Sequence, residues 1–211
     1  MQHPLLYAAV VLSACAAAPA EKPPMGFFVT SKSMGAGADL GGLEGADRHC
    51  QDLATAAGAG GRTWVAYLSV QSTPEKPGVN ARDRIGAGPW YNAAGVLIAT
   101  DVADLHSDRN RISKETALSE RGAPTSGQFH DILTGTRMDG NAPSPLDPDS
   151  TCGDWTKNTA SGAALVGHFD RASRIKGAWA TSWNSAHLTR GCNEAGLKEL
   201  GSGGLFYCFA K

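Results

Sequence analysis

Four cysteines, Cys50, Cys152, Cys192 and Cys208, are strung along the chain with no two in C-x-x-C spacing. The absence of that spacing argues against a structural zinc site or a thioredoxin-like redox pair. In an exported chain an even set of four reads as a disulfide framework, and spacing alone leaves all three pairings open. Cross-links matter here because the chain carries 26 Gly and 11 Pro among 211 residues. Its 42% hydrophobic residues suffice for a core, and the length suits one domain or at most two small ones. Nineteen Lys and Arg against 20 Asp and Glu give a formal charge of −1. With no long basic run, that balance excludes an electrostatic nucleic-acid binder. Intrinsic disorder, collagen and a multi-span membrane protein are excluded on composition as well.

A fifth cysteine, Cys15, closes the apolar run Leu5 to Ala14 (LLYAAVVLSA). The run is shorter than the roughly 20 residues a membrane-spanning helix needs, and has the length of a signal-peptide core. Leu12-Ser13-Ala14-Cys15 resembles the bacterial lipobox, in which cleavage precedes a cysteine that is then diacylated. A small, proline-rich stretch follows and reads as a tether. The expected organisation is a lipoprotein signal peptide over 1–14, lipidated Cys15 and tether over 15–24, and one domain over 25–211. Ala16 in place of Asp implies, by resemblance to Gram-negative lipoproteins, the outer membrane. The alternative is a plain secretory signal cut after Ala18 or Ala20, giving a periplasmic or secreted protein. Membrane contact is expected through the lipid on Cys15 alone.

Along the chain, Met25 to Thr30 reads as a first strand, and Ala46, Cys50, Leu53, Ala54 and Ala57 follow the helical period until Gly58, Gly60 and Gly61 stop it. Trp64 to Val70 reads as a buried strand, residues 71–89 as mostly loop, and Trp90 to Ala99 as a hairpin turning near Asn92 to Gly95. A short helix is expected within Ala103 to His106. Strands are expected over Phe129 to Thr136, Ala163 to Phe169, Trp179 to Trp183 and Leu205 to Phe209, with a loop from Arg137 to Thr151. One helix followed by many short strands and long loops is an α+β order, not a βαβ one.

Gly45-Ala46-Asp47-x-x-Cys50-Gln51-x-Leu53-Ala54 followed by Trp64-Val65-Ala66-Tyr67-Leu68-Ser69 resembles the opening of the endostatin domain of collagens XV and XVIII, a variant of the C-type-lectin-like fold. Asn92-x-x-Gly95-Val96-Leu97, Leu133-Thr134-Gly135-Thr136, Cys152-Gly153-Asp154-Trp155, Cys192 and Leu205-Phe206-Tyr207-Cys208 continue it in order over Phe27 to Lys211. The resemblance implies nested disulfides, Cys50–Cys208 and Cys152–Cys192, which would close loops of about 159 and 41 residues and contribute roughly 5 and 4 kcal/mol on the chain-entropy model. It carries fold better than function. The region Met25 to Glu44 has no His, so endostatin's amino-terminal zinc site is not carried over. The sugar-binding Glu-Pro-Asn and Trp-Asn-Asp tripeptides of calcium-dependent lectins are missing too, with Trp183-Asn184 the only remnant.

Several residue groups can carry chemistry. Asp139, Asn141, Asp147, Asp149 and Asp154 offer the hard oxygen donors that suit Ca²⁺, although Asp-rich sequence is also ordinary turn chemistry. We assign Asp147, Asp149 and Asp154 to a possible calcium site, and Asp139 and Asn141 to the ligand surface. Trp179 and Trp183 with Asn184 and His187 can form a stacking and hydrogen-bonding platform for a sugar, whereas Trp155 is expected in the core beside Cys152. His130-Asp131, His168-x-Asp170 and His187 can meet as a metal or acid–base site, without any helical H-E-x-x-H spacing. No G-x-S-x-G is present and disulfide pairing leaves no thiol nucleophile. Formylglycine-generating enzymes share the lectin-like fold but need active-site thiols and a longer chain. The expectation is therefore a non-catalytic, lectin-like surface module that presents loops 137–151 and 176–192 to carbohydrate or an extracellular protein. The alternatives are a structural envelope lipoprotein binding peptidoglycan or a protein partner, and, third, a metal-dependent hydrolase.

Overall fold

In the computed structural model, which describes residues 21–211, the longest strand is also the most connected. Strand β8 (Ser202–Ala210) pairs antiparallel with β1 (Phe27–Val29) and β2 (Trp64–Ala66), and parallel with β5 (Asp131–Leu133). β6 (Leu165–His168) and β7 (His187–Leu188) extend the sheet, giving the order β1-β8-β5-β6-β7 with β2 also on β8. Side chains alternate across the pleat, and both faces of the β8 end are apolar. Phe206 and Cys208 join Phe28, Trp64 and Trp155 on one face, while Tyr207 and Phe209 join Phe27, Val29 and Trp90 on the other. A strand buried on both faces has no polar phase to alternate with, which is why Leu205-Phe206-Tyr207-Cys208-Phe209 is apolar throughout.

Helix α1 (Gly42–Ala56) covers the first face with Ala46, Cys50, Leu53 and Ala54. It stops where Gly58 turns left-handed (φ 79°), a conformation that favours glycine. Cys50–Cys208 ties this helix to β8 across 158 residues, and Cys152–Cys192 closes a 40-residue loop; each has Cα atoms 5.7 Å apart. The nested pairing implied by the resemblance is thus the observed one. The opposite face is covered by short pieces: α2 (Ala81–Arg84), the hairpin β3 (Trp90–Tyr91) and β4 (Leu97–Ala99), and α3 (Val102–Leu105). The buried Asn92 side chain closes the hairpin by accepting from the amides of Ala94 and Val96, both at 2.9 Å. Asp101 caps α3 by accepting from the Asp104 amide at 2.9 Å.

The chain is a mixed α+β structure with few helices, short strands and two disulfides. Two expectations need correcting. The strand expected over Trp64 to Val70 ends its ladder at Ala66, because Val70 turns away to bridge Val79. Trp179–Thr181 is a 3-10 turn rather than a strand, held by the Ala180 amide on the Gly177 carbonyl and the Ser182 amide on the Trp179 carbonyl. Strand β7 lies further on. The sequence also gave no sign of α2, of α4 (Cys152–Trp155), or of α5 (Glu194–Lys198), which Asn193 caps through the Gly196 amide at 2.8 Å. No helix among the described residues is long and apolar enough to cross a membrane. The expected signal peptide and Cys15 lie outside the described residues.

Candidate functional site

Three strands bring four polar side chains to one end of the sheet. Asp131 opens β5 and lies directly opposite His168, the last residue of β6. His187 opens β7 opposite Val166, two residues from His168 and therefore on the same face. His130 precedes Asp131 and stacks on His168, with ring centroids 4.5 Å apart and planes 14° apart. Gly167 permits this assembly. A Cβ there would collide with the Trp183 carbonyl, so the 182–187 segment packs directly onto β6 and delivers His187 to the site.

The Nε2 atoms of His130 and His168 stand 3.3 Å from Asp131 Oδ1, and that of His187 stands 3.3 Å from Oδ2. None of these approaches completes a hydrogen bond: both Asp131 oxygens and His168 Nε2 are buried without a partner. The other ring nitrogens are satisfied. Nδ1 of His130 faces Asp170 Oδ1 at 3.1 Å, that of His168 the Ala180 carbonyl at 2.9 Å, and that of His187 the Leu188 carbonyl at 3.2 Å. A carboxylate or carbonyl can only accept, so each Nδ1 carries the hydrogen. Burial alone would raise the Asp131 carboxyl, but His168 and His187 outweigh it and hold it below the ordinary carboxylate range. Asp131 in turn raises the His187 imidazole above its ordinary value. Among the described residues, His130, Asp131 and His168 place one ligand atom each within 4.8 Å of one another, close enough to hold one metal ion.

Above the cluster lies an open cleft of about 880 Å³, with His130, His168 and His187 in its floor and Arg174, Ile175, Trp179, Glu199 and Leu200 around it. Trp179 is 48% exposed, and Ile175 and Leu200 are exposed beside it.

The other anticipated site residues lie elsewhere. Trp183 is 4% exposed, packed among Tyr67, His106 and Tyr207, and Asn184 is 1% exposed. The Asn184 side-chain amide donates to Tyr67 Oη and to the Arg137 and Met138 carbonyls. Both are therefore part of the core, which corrects the expected platform and leaves the exposed Trp179 and the partly buried His187 as its members. Trp155 is buried, as expected, and its Nε1 donates to the Ser69 carbonyl.

The loop carboxylates are engaged locally rather than converging on a cation. Asp149 accepts from the Thr151 amide and hydroxyl at 2.9 and 2.8 Å and from the Gly153 amide at 2.7 Å. Asp154 pairs with Lys76 at 2.7 Å, and Asp147 accepts from the Ser144 amide at 3.2 Å. Asp139 and Asn141 bond each other within one turn. In Asp149, as in Asp139, burial would raise the carboxyl, but these donors win and lower it.

The sequence named His130, Asp131, His168, Asp170 and His187 as residues able to meet, and they do. It missed Ile175, Glu199 and Leu200, which carry no motif and become neighbours only through the 170–180 loop and the approach to β8. No family model matches the chain, and no curated protein is similar to it.

Proposed function

We propose that this chain is a non-catalytic binding module of C-type-lectin-like, endostatin-like architecture, held at the outer membrane through Cys15, with carbohydrate as its ligand. The observation that carries the reading is the cleft around Trp179. An exposed indole offers the face on which the apolar side of a sugar ring stacks. Arg174, His187 and Glu199 surround it with donors and acceptors for hydroxyl groups. Export is supported by the four described cysteines, all of them in disulfides, as expected of an oxidising compartment. The helix and disulfides on one face and the short elements on the other provide a rigid frame from which loops present the ligand.

A glycan array probed with the full chain tests this. Selective binding is expected, and Trp179→Ala should weaken it about tenfold, the value of one aromatic contact. Absence of glycan binding, or binding unchanged in Trp179→Ala, overturns the carbohydrate reading.

A further inference from the structure

We infer that His130, Asp131 and His168, with His187 on the second carboxylate oxygen, form a binding site for a zinc-class divalent ion at the floor of the cleft. The starting point is an imbalance. Asp131 is fully buried and His168 is 5% exposed, yet neither Asp131 oxygen nor His168 Nε2 has a hydrogen-bond partner. A buried polar group left in that state is costly, and a buried charge more so. The Nδ1 acceptors fix the tautomer, so in the neutral rings three unprotonated Nε2 atoms stand 3.3 Å from an anionic carboxylate. Lone pairs held so close to an anion repel it unless a cation lies between them.

Two kinds of cation could fill that role. Protonating all three rings would place three positive charges around one carboxylate, two of them on rings stacked at 4.5 Å. One divalent ion instead uses the neutral Nε2 atoms of His130 and His168 and the Asp131 carboxylate as they stand, all within 4.8 Å of one another. The spacing suits it: ligands about 2.0–2.1 Å from a tetrahedral ion lie roughly 3.3 Å apart, and each Nε2-to-oxygen separation here is 3.3 Å. Imidazole and carboxylate donors select zinc or a neighbouring late transition metal over Ca²⁺, which needs six to eight oxygens. The outer contacts fit as well. Histidine ligands characteristically donate their second N–H to a carboxylate or carbonyl, and Asp170, Ala180 and Leu188 supply those acceptors. The half-exposed His130 and His187 line the cleft, which provides the path of entry.

The test uses the full, disulfide-bonded chain, stripped with chelator and titrated with Zn²⁺. Saturable binding of one ion per chain is expected. Asp131→Asn and His168→Gln should each weaken it at least about a hundredfold, and Asp170→Asn, acting only through His130, about tenfold. Asp147→Asn with Asp149→Asn should leave it unchanged. A wild-type measurement guards against misfolded variants: Zn²⁺ should shift the imidazole resonances of His130, His168 and His187 and spare those of His49 and His106. No saturable binding, unchanged affinity in both Asp131→Asn and His168→Gln, or shifts confined to His49 and His106 overturns the inference. The readout is the metal itself, so either outcome leaves the glycan result to be judged separately.

Discussion

The acidic loop from Asp139 to Asp154 and the cluster around Asp131 are both carboxylate sites, and they differ in what the carboxylates already hold. In the loop, Asp139, Asp147, Asp149 and Asp154 accept from nearby amides, from an asparagine side chain or from lysines. At the cluster, one aspartate faces three imidazoles and accepts from none of them. A count of acidic residues favours the loop, whereas unfilled valence favours the cluster. The contrast teaches that a cation site is marked by donors that folding leaves without partners, not by the density of charge along the chain.

The comparison can be tested from either side. The largest effect is expected at Trp183, which packs in the core among Tyr67, His106 and Tyr207. Trp183→Ala should cost about 3–5 kcal/mol in denaturant unfolding, whereas Trp179→Ala, in the cleft itself, should cost little and act on ligand binding. If Trp179→Ala proves as destabilising as Trp183→Ala, the cleft is packing rather than a ligand surface.

Next comes the bridge that anchors the carboxyl end of the acidic loop. Replacing Cys152 and Cys192 together by Ala should cost about 2–4 kcal/mol, read from the unfolding midpoint. Zn²⁺ affinity should be retained, because His130, Asp131, His168 and His187 are held by the strand register.

The sharpest contrast is between two aspartates. Asp149→Ala leaves the amides of Thr151 and Gly153 without their acceptor and should cost about 1–2 kcal/mol. Asp131→Asn, measured in chelator, should instead raise stability, by about 1 kcal/mol. An Asn side chain can donate to a neutral Nε2 where a carboxylate cannot. Opposite signs for these two substitutions would separate a turn carboxylate from a ligand carboxylate; equal losses would erase the distinction.

The smallest effect belongs to His106, on neither site. Burial lowers its imidazole below the ordinary value. Its contribution to stability is therefore present above about pH 6.5, the unfolded value, and is lost as pH falls through the lower folded value. A histidine NMR titration should show His106 titrating below the ordinary histidine value.

Much of this arrangement was legible in the residues, and the reasons are local. The α1 period, the Gly58 stop and the hairpin around Asn92 are all set by neighbours within a few positions. The cysteine pairing was open on spacing alone and was indicated only through the resemblance. The site was half legible. His130-Asp131 and His168-x-Asp170 are visible as pairs, but their convergence depends on the antiparallel register of β5 with β6, a long-range fact. Trp183 and Asn184 look exposed because Ser182 and Ser185 flank them. They are buried because Tyr207 Oη donates to the Trp183 carbonyl and Asn184 finds Tyr67 and the loop carbonyls. Polar neighbours that satisfy one another inside the fold read, in sequence, like a surface.

The central position of β8 bears on how the protein is made. A chain entering an oxidising compartment amino end first presents Cys50 long before Cys208, which lies 158 residues further on. Cys152 and Cys192 both arrive in between. The first thiol available to Cys50 is therefore a wrong one, and a Cys50–Cys152 bond formed in passing would be undone only by thiol–disulfide exchange. Meanwhile β1 and β2 wait unpaired for the strand they share, a high-contact-order arrangement that folds slowly. On the proposed export, reaching the nested pairing would call for reshuffling as well as oxidation of its thiols.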